Sequence, residues 1–338
     1  MYKQLLTALL LFLNHHPFAQ PTLLGQRTFH FIDDTRNRPV VTEVWYPTED
    51  TLKTGDRINT PFVRYNTVRD GRLPSGKLPL IMLSHGNGGG RLTLEWLAQG
   101  LAESGFIVAA VDHWGNTYEN PIPIEFLKPW QRPLDISFAL TALLADPAVG
   151  PIIDRDRIGA IGFSYGGYTV LALAGVVLDY PAMIHAYKTT NRKELELPEM
   201  PGLIPLLDDS ALQEQIKHIP VVKDRRIKAF FAISPGCGPG VVRAQQVAGV
   251  QDALYITGSQ SDSMAPVRTN AAKYHGMIAG SHYYEFPGKV GHYVMLGEAD
   301  EALKKRWPTG FVDDPSVDRH AVHLKADSLA VDFFKQHL

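Results

Sequence analysis

One cysteine, Cys237, stands in a chain of 338 residues. A single thiol closes no internal disulfide and builds no thiolate zinc site, so Cys237 reads as a small buried or loop residue. Charge of one sign is equally scarce. The formal net charge is -2 and no block of lysine and arginine appears. Without a basic footprint there is nothing to neutralise a phosphate backbone, so no nucleic-acid partner is expected. The H-E-x-x-H helix motif and the phosphate-cradling G-x-x-x-x-G-K-[ST] loop are both missing, and no metal or cofactor is implied. Long apolar runs are missing too. The stretch Leu5 to Leu13 is too short to cross a bilayer comfortably, and no later segment reaches transmembrane length, so stable membrane insertion is not expected.

What is present is an ordinary globular balance. Hydrophobic residues make up 45% and charged residues 20% of the chain, enough for a sizeable core. Lys3, the apolar run from Leu5 to Leu13 and the small-residue region Phe18-Ala19-Gln20 together read as a cleavable signal peptide over residues 1–19. Pro17 departs from that pattern, because a small residue is expected three places before the cut. The alternative is an unstructured tail. The expected location is secreted or periplasmic. A disulfide-free exported chain suits a bacterial envelope better than a small stapled domain.

Two stretches rich in β-branched and aromatic residues, Thr28 to Ile32 and Val40 to Tyr46, predict an antiparallel hairpin. A loop rich in Thr, Gly, Arg and Pro follows, and then the pattern changes. Leu78 to Ser84, Phe106 to Val111 and Arg157 to Phe163 read as the apolar runs of buried strands, and later strands fit Ile227 to Ile233, Ala253 to Thr257 and His282 to Phe286. Between and after them, Arg91 to Ser104, Pro133 to Leu144, Tyr165 to Val177 and His320 to Leu338 have helical character. Strands alternating with helices predict an α/β fold, a mostly parallel sheet with helices on both faces, in one domain over residues 20–338. Leu178 to Asp224 interrupts the alternation and reads as a helical cap inserted at the sheet's C-terminal edge, with helical pieces near 182–188 and 211–217.

Gly162-Phe163-Ser164-Tyr165-Gly166 matches G-x-S-x-G. The pentapeptide alone is a weak signal. Its setting is stronger, for it ends a buried strand and opens a helix, the strand–turn–helix context of a nucleophile elbow. Such a turn strains the serine and leaves no room for side chains two residues away on either side. The helix start also aims free N–H groups at the serine. Upstream, His85-Gly86-Asn87-Gly88-Gly89-Gly90 follows a strand end. A loop so rich in glycine can bring backbone donors close to a developing oxyanion. The N–H groups of Asn87 and Tyr165 are the candidate donors. The alternative is a flexible loop.

A serine hydroxyl needs a histidine to take its proton and a carboxylate to orient that histidine. After a nucleophile elbow the chain order is acid, then histidine. Asp262, in the polar turn after the strand ending at Thr257, is the candidate acid; its alternative is an Asx turn or helix cap. His292, in Gly291-His292-Tyr293 beyond the last strand, is the candidate base, while His275 and His282 lie at or before that strand's start. His85 more naturally positions the oxyanion loop. His85, Gly86, His113 and Trp114 are candidates for the acyl or alcohol pocket, although Asp112-His113-Trp114-Gly115-Asn116 equally reads as a turn. Arg132-Pro133-Leu134-Asp135 looks like a helix start.

These residues in this order resemble the dienelactone hydrolase-like and platelet-activating-factor acetylhydrolase-like branch of the α/β hydrolases. The matching pieces are Ser84 to Gly88, Val111 to Thr117, Arg132 to Asp135, Asp156 to Gly159, Arg226 to Ala229 and Gly291-His292, across about Arg27 to Leu296. The resemblance implies a Ser164–His292–Asp262 triad and ester substrates. It departs from true dienelactone hydrolases, whose nucleophile is cysteine, and related polyester hydrolases leave a polymer substrate open. The function expected is therefore a serine hydrolase cleaving carboxylic esters, with short or medium acyl chains, through an acyl-enzyme and without a cofactor. A serine peptidase or amidase of the same fold, and a non-catalytic binding protein that kept it, are the rivals. The partner expected is a small-molecule or lipid-like ester; nothing in the sequence sets an oligomeric state.

Overall fold

The computed structural model describes residues 23–56, 60–190 and 194–338. The leader expected over residues 1–19 lies outside them. Nine strands form one sheet: β1 (Leu23–Asp33), β2 (Arg38–Thr48), β3 (Val68–Arg69), β4 (Leu78–Ser84), β5 (Ile107–Val111), β6 (Ile153–Phe163), β7 (Ala229–Ile233), β8 (Ala253–Ser259) and β9 (His282–Phe286). Their spatial order is β3-β1-β2-β5-β4-β6-β7-β8-β9. Only β2 runs against its neighbours, paired antiparallel with β1 and β5. The other pairings are parallel, as the unbroken apolar runs predict.

The central strands β4, β5 and β7 are almost wholly apolar because both faces are covered. Leu80, Ile81, Met82 and Leu83 of β4 are completely buried. Alternate members point to opposite faces, and each contributes on the order of 2 kcal/mol by leaving water. Leu80 and Met82 join the layer of α2 (Gln131–Ala145), α3 (Tyr165–Ala174) and α6 (Ala271–Met277). Ile81 and Leu83 join the opposite layer of α1 (Glu95–Glu103) and α9 (Arg319–His337). The last helix packs through small as well as large side chains. Its buried stripe runs through His323, Ala326, Ala330, Phe333 and Phe334, while Leu329 and Val331 are only half-buried. Small alanines there allow close approach to α1.

The segment 178–224 contains α4 (Tyr180–Thr189), a 3-10 turn (Ile204–Asp208) and α5 (Ser210–Ile216). Each helix start is set by an aspartate. Asp179 accepts the N–H of Ala182 at 3.0 Å and Asp209 that of Leu212 at 2.8 Å. Apolar side chains of this segment, Met183, Leu207 and Leu212 among them, pack with Phe126, Trp130 and Tyr168 into a third apolar cluster. Further on lie α7 (Glu301–Arg306) and α8 (Pro308–Phe311), short helices that leave no clear period in the sequence.

Candidate active site

Ser164 leaves β6 with φ 58° and ψ -117°, a conformation that side chains rarely adopt. The strain is held by packing. Its N–H donates to the Ile233 carbonyl at 2.8 Å, and its own carbonyl accepts the N–H of Gly236 at 3.0 Å. The glycines two residues either side are obligatory. A Cβ on Gly162 would strike the Gly166 backbone, and one on Gly166 would strike the Ser84 carbonyl.

Three residues from three strand ends then meet. His292 Nε2 lies 2.8 Å from Ser164 Oγ, and His292 Nδ1 lies 2.6 Å from Asp262 Oδ2. The other oxygen of Asp262 accepts the N–H groups of Met264 at 2.9 Å and Ala265 at 2.7 Å. An acceptor-only carboxylate facing Nδ1 assigns the proton to that nitrogen. Nε2 is left free to accept from the serine hydroxyl. Asp262 and His292 are both buried, at 6% and 7% exposure, so their pairing is little weakened by solvent. His275 and His282 stand elsewhere, His275 beside Ser281 at 2.9 Å and His282 against Tyr255.

The loop after β4 passes directly over Ser164. A Cβ on Gly86 would lie 3.4 Å from Ser164 Cβ. Gly86, Asn87, Ser164, Tyr165 and His292 share the wall of one cavity of about 400 Å³. The wall is mainly apolar, built from Phe126, Phe163, Met183 and Leu207 among others. Two carboxyls of the inserted segment also face it. Burial pushes Glu194 up to about 7, against weaker hydrogen bonds from Asn270 and Thr269. Burial likewise raises Glu199, which faces the Tyr293 hydroxyl. Nothing in the sequence pattern singled out either glutamate, since only tertiary packing brings the inserted segment over the serine.

His85, His113 and Trp114 do not reach this cavity, a correction to their reading as pocket residues. His85 and His113 are completely buried behind the loop. His85 Nδ1 lies 2.6 Å from the Gly86 carbonyl, bracing the loop from beneath. His113 lies between Ser84 Oγ at 2.9 Å and Asp135 at 3.1 Å. Burial, with Arg132 and Arg38 nearby, pushes His113 well below the ordinary histidine range. Trp114 turns away from the cavity, its ring beneath Arg38 at 5.4 Å and its carbonyl bonded to the same side chain. Of the four pocket candidates only Gly86 lines the wall. Among the described residues no cluster of three or more His, Cys, Asp or Glu is arranged to hold a metal ion.

The whole architecture has a counterpart among solved structures. A ferulic acid esterase from Streptomyces cinnamoneus superposes with a TM-score of 0.62 over 95% of this chain and 91% of that one, at 19% identity. The chain has the α/β-hydrolase fold. Residues 33–118 match a family model described as platelet-activating factor acetylhydrolase, isoform II. A lipase, Lipase 1 of a Moraxella species, is 34% identical over 82 residues, 24% of this chain. That match spans 23% of the lipase's own length. Both sequence matches are partial, whereas the structural likeness covers 95% of the chain.

Proposed function

We propose that this α/β hydrolase cleaves carboxylic esters through a covalent acyl-enzyme on Ser164. The observation that carries the reading is the unbroken contact line Ser164 Oγ–His292 Nε2, His292 Nδ1–Asp262, opening onto the apolar cavity. Ser164 Oγ bonds to the ester carbonyl carbon while its proton passes to His292 Nε2. Asp262 holds the ring and stabilises the imidazolium. The carbonyl oxygen takes the negative charge and is met by the N–H groups of Asn87 and Tyr165. Collapse breaks the carbon–oxygen bond, and the leaving alkoxide takes the proton from His292. Water, deprotonated by His292, then releases the acid and restores Ser164. The names of the relatives point the same way. The matched family is an acetylhydrolase, and two relatives are an esterase and a lipase.

The cavity volume favours a short or medium acyl chain. About 400 Å³ lies toward the lower end of small-molecule pockets, which run from about 300 to 1,000 Å³. The N-terminal leader pattern favours action outside the cytoplasm. The test is labelling by a fluorophosphonate probe together with turnover of nitrophenyl esters. The wild type labels once and turns over. Ser164→Ala does neither, with turnover reduced by about 10⁴-fold or more. Labelling that survives in Ser164→Ala removes the serine from its role. Labelling of the wild type with hydrolysis of aminoacyl amides but not of esters transfers the reading to a peptidase.

A further inference from the structure

Behind the loop that covers Ser164 lies a buried guanidinium with no carboxylate of its own. Arg132, at the start of α2, is 1% exposed. Its Nε donates to Thr169 Oγ1 at 3.2 Å and its Nη1 to Asn116 Oδ1 at 2.9 Å. Its Nη2 donates to the carbonyl of His85 and, at 3.4 Å, to Ser84 Oγ. Its flat face lies over the ring of Tyr165, 4.8 Å from the centroid. The neighbouring Asp135 is already engaged by Arg36, Arg38 and His113. A charge in this position is costly to keep, and burial lowers it to about 10.

The contacts of Arg132 share one property. One arm ends on the backbone two residues before Asn87, and its face rests on the side chain of Tyr165. Asn116 extends the same grip. Its Oδ1, besides accepting from Arg132, accepts the Gly88 N–H at 3.2 Å, and its Nδ2 donates to Asn87 Oδ1 at 3.1 Å. The line from Ser84 through His113 to Asp135 copies the order of the catalytic groups but has no access to the cavity. It serves to fix the two loops against α2.

We propose that Arg132 and Asn116 are positioning residues for the oxyanion hole, tying the loop bearing the Asn87 N–H to the helix start bearing the Tyr165 N–H. This rests on the acyl-transfer reading of Ser164. Oxyanion donors help only if their spacing is set before the charge develops, because adjusting them during the reaction costs what they would contribute. Two donors on separate chain segments need a rigid bridge, and a fully bonded guanidinium fork supplies one where a lysine point charge does not.

The test uses Arg132→Lys and, as a gentler change, Asn116→Ala, in the full-length protein. Two rates are read per titrated active site: fluorophosphonate labelling of Ser164 and nitrophenyl ester turnover. Labelling also builds negative charge on an oxygen in the hole, and it does not depend on which ester is natural. A positioning role lowers kcat about 10- to 100-fold with KM changed less than threefold. It slows labelling by a similar factor and weakens a trifluoromethyl ketone, which mimics the tetrahedral adduct, in parallel. Should Arg132→Lys fail to fold, Asn116→Ala carries the test alone. A lowered melting temperature with kcat and labelling rate unchanged in Asn116→Ala overturns the proposal and leaves a purely structural brace. If wild-type Ser164 labels but turns over no ester, the ester reading fails separately, and the labelling rates of the variants still decide this one.

Discussion

Glu194 brings a second carboxyl into the neighbourhood of Asp262 and His292, and its charge state changes near neutral pH. Burial holds its carboxyl at about 7, and the negative Asp262 adds to the effect. Above that pH the ionised glutamate adds a second negative charge to the cavity wall, which opposes the negative charge that builds on the carbonyl oxygen in the proposed reaction. Glu194→Gln is expected to raise kcat/KM by about two- to fivefold above pH 7 and to leave it close to wild type at pH 5. A pH–rate series on both proteins checks it, and superimposable profiles would show that the Glu194 charge does not reach the reaction. The three residues of the contact line Ser164, His292 and Asp262 were legible in sequence, each for a local reason. Ser164 announces itself by glycines that the turn requires, and Asp262 and His292 by falling just beyond apolar runs. His113 was not legible as a brace. A histidine after a strand looks the same whether its ring turns into a cavity or beneath a loop, and only burial among Ser84, Asp135 and Arg132 decides between them.

Among the elements, the crossing of α1 and α9 carries a charge problem of its own. Asp327 on α9 lies against Gly100 of α1, where a Cβ would strike its carboxyl, and its Oδ1 has no hydrogen-bond partner among the described residues. Burial, with Glu103 adding, raises Asp327 from an ordinary 3.8 to about 7. A carboxyl raised by folding is held protonated by the fold. The stability it allows is fully present below about pH 4 and is lost as pH rises through about 7. An asparagine amide in its place cannot ionise. Asp327→Asn should gain on the order of 2 kcal/mol at pH 8, a melting temperature a few degrees higher, and nothing at pH 4. Glu194 acts in the same direction, so the fall of wild-type stability between pH 5 and pH 8 should shrink rather than vanish. Melting curves at both pH values check this, and an equal fall in the two proteins would clear Asp327 of the penalty. The elements were readable to different depths. β4 was found with its observed ends, because a strand buried on both faces must be apolar along its whole length; β9, at the sheet edge, was found by its run of tyrosines and phenylalanine. β3 was missed, since two residues pairing with β1 leave no periodic trace. The buried face of α9 was only partly readable, because Ala326 and Ala330, the small residues on the side facing α1, look neutral in a pattern of large apolar side chains.

For the molecule as a whole, the cavity joins parts of the chain that the sheet alone would keep apart. Its floor is the elbow and the loop after β4. Its roof comes from the segment 180–216, and its far side from residues 293–311. The sheet thus sets where a reacting carbonyl sits, and the roof sets how much chain can lie beside it. Ile184, half-buried on α4, lines the cavity from the roof. Tryptophan there would narrow the space beneath α4. If the acyl chain extends beneath α4, Ile184→Trp should lower kcat/KM for a longer nitrophenyl ester by about tenfold or more relative to the acetate. Hydrolysis of the acetate itself should stay close to wild type. The ratio isolates roof contacts from any general loss of active protein, because both esters react at the same Ser164. A chain-length profile that keeps its shape in Ile184→Trp would put the acyl group on the other side of the elbow, toward residues 293–311. The alcohol would then lie under the roof, and the same variant should discriminate among leaving groups instead of acids.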